Sequence, residues 1–160
     1  MKRGKELALV CHCILNQNSV VHPLARNRGA MVDVMAGLMR RGFGIYQLPC
    51  PELLYGGLQR CPKTYAQYDA AEYRALCGEL AKRSGQELEG FAADGCRIGL
   101  LVGVSGSPTC SIGGRQGHFM EALLPRLAKW EKEMRLLEVP QDYEEGKDKP
   151  VWLRDALGEV

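Results

Sequence analysis

The chain has 160 residues, of which 46% are hydrophobic and 25% are charged, and its formal net charge is +2. A chain of this size has room for one hydrophobic core, so we expect a single domain over residues 1–160. The net charge argues neither for nor against nucleic acid. No run of Lys and Arg is dense enough to follow a phosphate backbone, so we expect no nucleic-acid partner.

No segment approaches the roughly 20 apolar residues that span a bilayer, so we expect no membrane partner. The N-terminus is basic, but the apolar stretch behind it is short, which predicts a first strand and not a signal peptide. We therefore expect a cytoplasmic protein. Its seven cysteines are a high count for this length. In a reducing compartment, such cysteines indicate metal binding or catalysis more than structural disulfides.

Apolar runs and helical spacing alternate along the chain. Residues 97–104 are almost unbroken in their apolar character, which is typical of a parallel strand covered on both faces. The alternation predicts an α/β fold, Rossmann-like, with a small parallel sheet of three to four strands flanked by helices. The predicted strands are residues 6–13, 43–48 and 97–104, and the main predicted helices are residues 30–41, 70–93 and 118–137.

A cysteine ends or follows each predicted strand: Cys13 the first, Cys50 the second and Cys110 the third. Ligands of an open parallel sheet bind beyond the carboxyl ends of its strands, so we expect these three thiols in one pocket. Prolines on both sides of Cys50 predict a stiff, non-helical segment that holds this thiol and the carboxylate of Glu52.

Three segments resemble, in this order, the family of 2-thiouracil desulfidase. The resemblance covers the chain from about residue 7 to about residue 112. The Cys-Ile-Leu-Asn opening and the Leu-Pro-Cys-Pro-Glu-Leu-Leu-Tyr segment are most similar to a branch of desulfidase-related proteins of unproven activity. The segments are Cys13-Ile14-Leu15, then Cys50-Pro51-Glu52 with Gly56-Gly57-Leu58, and then Ser107-Pro108-Thr109-Cys110.

The resemblance implies a 4Fe-4S cluster held by Cys13, Cys50 and Cys110, with the fourth iron left open. Thiolates are the usual ligands of such clusters, and an open iron binds a substrate sulfur as a Lewis acid. The implied activity is the removal of sulfur from a small thiolated compound, a thioamide or a thio-heterocycle. Glu52 would be the base that activates water, and Ser107 would hydrogen-bond the substrate or the water.

Two departures from the family pattern bear on the substrate and leave the cluster assignment intact. Ser111 stands where these desulfidases usually have a glycine, and residues 18–29 lack the usual Tyr-Asp-Gly-like segment. We expect both changes to lie around the substrate pocket. We expect the substrate to enter over residues 16–28 and 55–60.

Other interpretations stay open. In a non-catalytic metal module, the three cysteines would hold zinc or a cluster for structure or sensing. Zinc would take a fourth N or S ligand, and Cys11 or His12 is the nearest candidate. Cys11 also competes with Cys13 as the first ligand, since alternate residues of a strand face the same side. A metal-free thiol enzyme is disfavoured, because the sequence has no Cys-x-x-Cys pair.

Overall fold

Four parallel strands with helices between them organise the chain. The computed structural model describes residues 2–147 and 149–159. The strands are β1 (Glu6–Val10), β2 (Gly44–Gln47), β3 (Arg97–Val104) and β4 (Arg135–Val139). The helices are α1 (His12–Leu15), α2 (Val32–Arg40), α3 (Pro51–Gly56), α4 (Tyr65–Tyr68), α5 (Ala71–Ala93), α6 (His118–Leu127) and α7 (Val151–Leu157), with 3₁₀ turns at Gln17–Ser19 and Ala128–Trp130.

The sheet has the strand order β2-β1-β3-β4, and every pairing is parallel. Leu9 of β1 lies between Tyr46 of β2 and Leu101 of β3. The chain moves from β1 to β2 in one direction and then passes β1 again to reach β3. The order therefore reverses between β1 and β3, and open sheets of this kind bind ligands beyond the strand ends at that point. The predicted α/β fold with a small parallel sheet is confirmed.

Helices cover both faces of this sheet. The α5 helix packs against α6, and α2 packs against α7. Crossovers between parallel strands are right-handed and the two sets of connections run in opposite directions, so the two pairs lie on opposite faces. The β3 strand is accordingly buried from Ile98 to Gly103. None of the helices in the described part of the chain is long and apolar enough to cross a bilayer.

Two of the predicted strand ends differ from the structure. The β1 strand stops at Val10, three residues before its predicted end, and Cys13 lies in α1. The segment after Cys50 is helical, so its predicted non-helical conformation is wrong. Pro51 occupies the first turn of α3, where its missing N–H has no helical partner to lose.

The last predicted helix, residues 118–137, is too long. The α6 helix ends at Leu127, and Arg135–Val139 instead forms β4, which pairs with β3. The β4 strand is short, and its residues change from exposed to buried along its length. It therefore lacks the long apolar run that marks β3 in the sequence. Its pairing with β3 is a tertiary contact that local spacing does not report.

Candidate functional site

A cavity of about 200 Å³ lies at the carboxyl ends of the strands, where the last residues of β3 and β4 form part of its wall. All of the predicted site residues line it: Cys13, Cys50, Glu52, Ser107 and Cys110. The expected meeting of the three cysteines in one pocket is confirmed. Their role as ligands stays a prediction.

The sheet brings the three thiols together because β2, β1 and β3 are neighbours. Cys13 follows β1, Cys50 follows β2 as the N-cap of α3, and Cys110 follows β3. At the N-cap, the thiol of Cys50 accepts a hydrogen bond from the amide of Leu53 at 3.4 Å. This bond fixes the Cys50 side chain at the start of the helix.

The loop that carries Cys110 lies close to β3 at one glycine and close to the start of α6 at another. A Cβ on Gly103 would lie 2.7 Å from the carbonyl oxygen of Cys110. A Cβ on Gly117 would lie 2.2 Å from the carbonyl carbon of Thr109. A side chain at either glycine would displace this backbone, so both glycines set the position of the third thiol.

Ser107 shapes the same turn. Its Oγ accepts hydrogen bonds from the amides of Thr109 at 3.2 Å and Cys110 at 3.0 Å. A hydroxyl has two acceptor positions and one hydrogen, so these amides occupy the acceptor positions. The hydroxyl hydrogen is the group that Ser107 retains for a ligand in the cavity.

The thiols are close enough to influence one another. Burial raises the pKa of Cys13, and the neighbouring Cys110 and Cys50 raise it further. Burial also raises the pKa of Cys50 to about 11, against the effect of the Leu53 hydrogen bond. The pKa of Cys110 is raised well above its usual range, first by a hydrogen bond with Cys11 and then by burial. These thiols therefore hold their protons at neutral pH, and a metal that binds them must release those protons.

Glu52 is held by a chain of hydroxyl groups. Thr109 donates a hydrogen bond from Oγ1 to Glu52 Oε1 at 2.7 Å. The Tyr73 hydroxyl lies 2.7 Å from the same Thr109 oxygen, and it donates there because the Thr109 hydrogen points to the carboxylate. Tyr73 and Thr109 are 0% and 1% exposed. Two buried hydroxyls thus fix one carboxylate oxygen.

The second carboxylate oxygen faces an arginine. Glu52 Oε2 lies 3.6 Å from Arg60 Nε, and the two side chains are 14% and 6% exposed. The other Arg60 nitrogens donate to the carbonyls of Gly57 at 2.9 Å and Ser19 at 2.7 Å. Arg60 therefore ties both predicted entry loops to the carboxylate. Burial, followed by the charge of Glu52, raises the pKa of the adjacent Tyr68 to about 12.

The sequence gives little signal for these partners. Thr109 belongs to the Ser-Pro-Thr-Cys segment, but nothing in that segment indicates that its side chain reaches Glu52. Tyr73 has the spacing of an ordinary core residue of α5. Arg60 falls within the predicted entry loop without a predicted partner.

Cys11 and His12 do not contribute to the cavity wall. Cys11 is the N-cap residue of α1 and is 1% exposed, and its thiol and that of Cys110 influence each other's pKa. The chain turns at this point, so the expectation that Cys11 and Cys13 share a strand face is wrong. The His12 Nδ1 atom lies 3.1 Å from Ser19 Oγ. Cys13, and not Cys11, is the thiol of this segment that the cavity reaches.

The two sequence departures differ in where they lie. Residues from the 18–29 segment line the cavity, as expected. Ser111 does not line it, so its expected place at the pocket is wrong. Its hydroxyl is buried and bonds with the Gly113 carbonyl at 3.0 Å and Glu138 Oε1 at 3.2 Å. Glu138 of β4 also accepts the Ile112 amide at 2.6 Å, so Ser111 belongs to the anchor of the Cys110 loop.

Cys13, Cys50 and Cys110 offer sulfur donors, which both zinc and iron–sulfur clusters take. Across residues 2–147 and 149–159, no three His, Cys, Asp or Glu side chains are grouped to hold one metal ion. A single zinc ion draws its sulfur ligands to about 2.3 Å from one point. Three thiols around one cavity are the donor set that iron–sulfur clusters use.

Comparison with known proteins finds a relative in Methanocaldococcus jannaschii, described as the uncharacterized protein MJ0003. It is 39% identical over 140 residues, which is 88% of this chain and 89% of that protein. The similarity thus extends over most of both chains and is not confined to one motif. No family model matches the chain, and no solved structure matches it.

Proposed function

The chain belongs to one family with this archaeal protein, and we propose that it is an iron–sulfur-dependent desulfidase acting on a small thiolated compound. The supporting observation is the single cavity that gathers Cys13, Cys50, Cys110, Glu52 and Ser107. We place the protein in the cytoplasm, where such thiols stay reduced. We propose no nucleic-acid partner.

Cys13, Cys50 and Cys110 would hold a 4Fe-4S cluster. When bound, the cluster supplies a Lewis acid whose open iron polarises the C=S bond of a thioamide or thio-heterocycle. Three thiol ligands leave that iron free of protein, whereas a fourth ligand would suit electron transfer. Their raised pKa values mean that assembly of the cluster displaces protons from the cavity wall.

Glu52 is the base in this proposal. Its Oε1 atom already accepts the Thr109 hydrogen bond, so Oε2 is the oxygen that takes a proton from water. Arg60, 3.6 Å from Oε2, keeps that oxygen in place. The free hydrogen of Ser107 would then be donated to the substrate or to the attacking water. A positioned base of this kind is worth about 10² to 10⁴ in rate.

The remaining wall suits a small, flat compound. Apolar side chains line much of the cavity. A volume of about 200 Å³ accommodates one heterocycle and is far too small for a macromolecule. The apolar lining residues are Val20, Val21, Leu24, Met31, Pro62, Val104, Pro108, Val139 and Pro140.

Anaerobic purification tests the proposal. We expect brown protein that contains iron and sulfide and converts 2-thiouracil or another thiolated heterocycle to its oxygen analogue with release of sulfide. Glu52→Gln protein, prepared in the same way, is the control for turnover that does not use the site. Colourless protein that carries zinc, or iron-loaded protein that turns over no thiolated compound, would contradict the proposal.

A non-catalytic metal module is the second candidate, and the position of Cys11 favours it. The Cys11 thiol is buried and raises the pKa of the neighbouring Cys110, so it is a candidate for a fourth sulfur ligand. Four thiolates would leave no open iron for a substrate. Iron-loaded protein that lacks turnover and loses its iron on Cys11→Ser substitution would support this candidate over the desulfidase.

A further inference from the structure

A single carboxylate oxygen binds the part of the loop that directly follows Cys110. Glu138 Oε1 accepts the Ile112 amide at 2.6 Å and the Gly113 amide at 3.1 Å. The Ser111 hydroxyl shares its one hydrogen between this oxygen, at 3.2 Å, and the Gly113 carbonyl. Donors from three successive residues thus converge on Glu138, and hydrogen bonds to a charged acceptor are stronger than those between neutral groups.

The sheet fixes the position of Glu138 beside this loop. Glu138 lies in β4 opposite Gly103 of β3. The β3 strand holds the same loop at Cys110, whose carbonyl accepts the Val104 amide at 3.1 Å. A Cβ on Gly113 would lie 3.2 Å from Glu138 Oε2, so the loop also packs closely on the carboxylate. Two neighbouring strands therefore hold the loop, one at the cysteine and one just after it.

The other two thiols are held by partners close to them in the chain. The Cys13 carbonyl accepts Nε2 of Gln17 at 2.8 Å, and the Cys50 thiol accepts the Leu53 amide at 3.4 Å. Cys13 lies in α1 and Cys50 caps α3, so a helix supports each of them. Cys110 lies in a loop outside the helices and strands. Its position depends in addition on a residue of another strand.

We propose that Glu138 is a positioning residue of the candidate site, which closes the loop after Cys110 and so holds the third thiol at the cavity. Glu138 does not line the cavity, so it acts through the loop and not on a substrate. Replacing such an outer partner of a metal ligand typically costs about 10- to 100-fold in metal affinity. The inference rests on the proposed function, because the thiol that Glu138 positions is the proposed third ligand of the cluster.

The reactivity of the thiols in metal-free protein tests the inference without any need for turnover. The full chain is freed of metal with a chelator, kept anaerobic with a thiol-free reductant and treated with iodoacetamide. Mass spectrometry of its peptides gives an alkylation rate for Cys13, Cys50 and Cys110. In Glu138→Ala, the Cys110 rate should rise about tenfold or more, since charge-assisted hydrogen bonds that keep the loop closed are lost. The other two rates should stay within about twofold, because local partners hold those thiols.

Three further variants locate the effect. The amide oxygen of Glu138→Gln can accept the same backbone amides, so its Cys110 rate should be at least about threefold below that of Glu138→Ala. Ser111→Ala removes one donor and leaves the carboxylate, so it disturbs folding less and should raise the Cys110 rate about threefold. Glu133→Ala is the matched control, because Glu133 is an exposed glutamate just before β4 that does not line the cavity. It should leave all three rates within about twofold.

Iron content gives a second measurement that does not depend on turnover. After anaerobic reconstitution with iron and sulfide, Glu138→Ala should retain less iron on gel filtration than the wild type, and Glu138→Gln should retain more than Glu138→Ala. An equal rise in all three alkylation rates, or an unchanged Cys110 rate in both Glu138→Ala and Ser111→Ala, would overturn the inference. A selective rise at Cys110, in a protein that binds iron but desulfidates no thiolated compound, would retain the role of Glu138 and refute the desulfidase. Desulfidation by wild-type protein, together with an unselective effect of Glu138→Ala, would do the reverse.

Discussion

Substitution of Thr109 by valine tests the hydroxyl chain that holds Glu52. Valine has nearly the same shape as threonine, so the substitution removes the hydroxyl and little packing. Thr109 is 1% exposed, and its hydroxyl receives the Tyr73 hydrogen and donates to the Glu52 carboxylate, both at 2.7 Å. Both bonds are lost at once, and the buried Tyr73 hydroxyl loses its partner.

The cost follows from these contacts. A buried donor left without a partner costs about 1–3 kcal/mol, and a hydrogen bond to a charged group contributes about 1.5–3 kcal/mol. We expect Thr109→Val to lower the free energy of unfolding by about 3–5 kcal/mol, a large share of the 5–15 kcal/mol typical of a domain. Tyr73→Phe should cost only about 1 kcal/mol, because Thr109 still donates to Glu52.

Urea unfolding of the two single variants and the double variant measures the coupling. In the double variant no tyrosine hydroxyl is left without a partner, so its cost should be smaller than the sum of the single costs by about 1–2 kcal/mol. Thr109→Ser retains the hydroxyl and is the control. Additive costs, or a Thr109→Val protein as stable as Thr109→Ser, would refute the hydroxyl chain.

Further predictions concern the thiols, the base and the packing of the Cys110 loop. Glu52→Gln should keep its iron and colour, and its turnover should fall about 10²- to 10⁴-fold. Cys50→Ser should instead contain less iron in metal analysis. Full turnover in Glu52→Gln would show that Glu52 is not the base. Cys11→Ser should keep its iron, and a loss equal to that of Cys50→Ser would make Cys11 a ligand. The pKa of Cys50 is raised from 9.0 to about 11 in the folded protein, so this thiol ionises at a lower pH in the unfolded chain. Metal-free protein should therefore keep its free energy of unfolding below about pH 9 and lose part of it as the pH rises toward about 11. Thermal melting against pH measures this loss, which Cys50→Ser should reduce; a pH-independent melting temperature would contradict it. Gly117→Ala should destabilise the fold by about 1–3 kcal/mol, because its Cβ would lie 2.2 Å from the Thr109 carbonyl carbon, and a neutral result in chemical unfolding would show that this backbone can move.

Much of the fold follows from the apolar pattern of the sequence. The β3 strand has the predicted bounds, because an unbroken apolar run is what a strand covered on both faces requires. The meeting of the thiols also follows, since each cysteine comes after a strand of one parallel sheet. Neither inference needs a tertiary contact, only the order of the elements.

The sequence predictions are wrong where tertiary contacts or turns determine the local structure. Arg135–Val139 is a strand because β3 offers it an edge, and its own residues do not distinguish it from the end of a helix. The prolines around Cys50 indicate an extended segment, but Pro51 is equally suited to begin a helix, which is what it does. The turn after Val10 likewise separates Cys11 from Cys13, which strand alternation places on one face.

The candidate base shows why the site is less predictable than the sheet. Cys50 and Glu52 are two residues apart, yet different parts of the chain fix them: the α3 N-terminus holds the thiol, and the loop after β3 holds the carboxylate. The carboxylate is therefore set by Thr109, 57 positions away in the sequence, and Arg60 links it to the entry loops. Substitutions at this site should consequently separate metal binding from catalysis, because the contacts that position the ligand are not those that position the base.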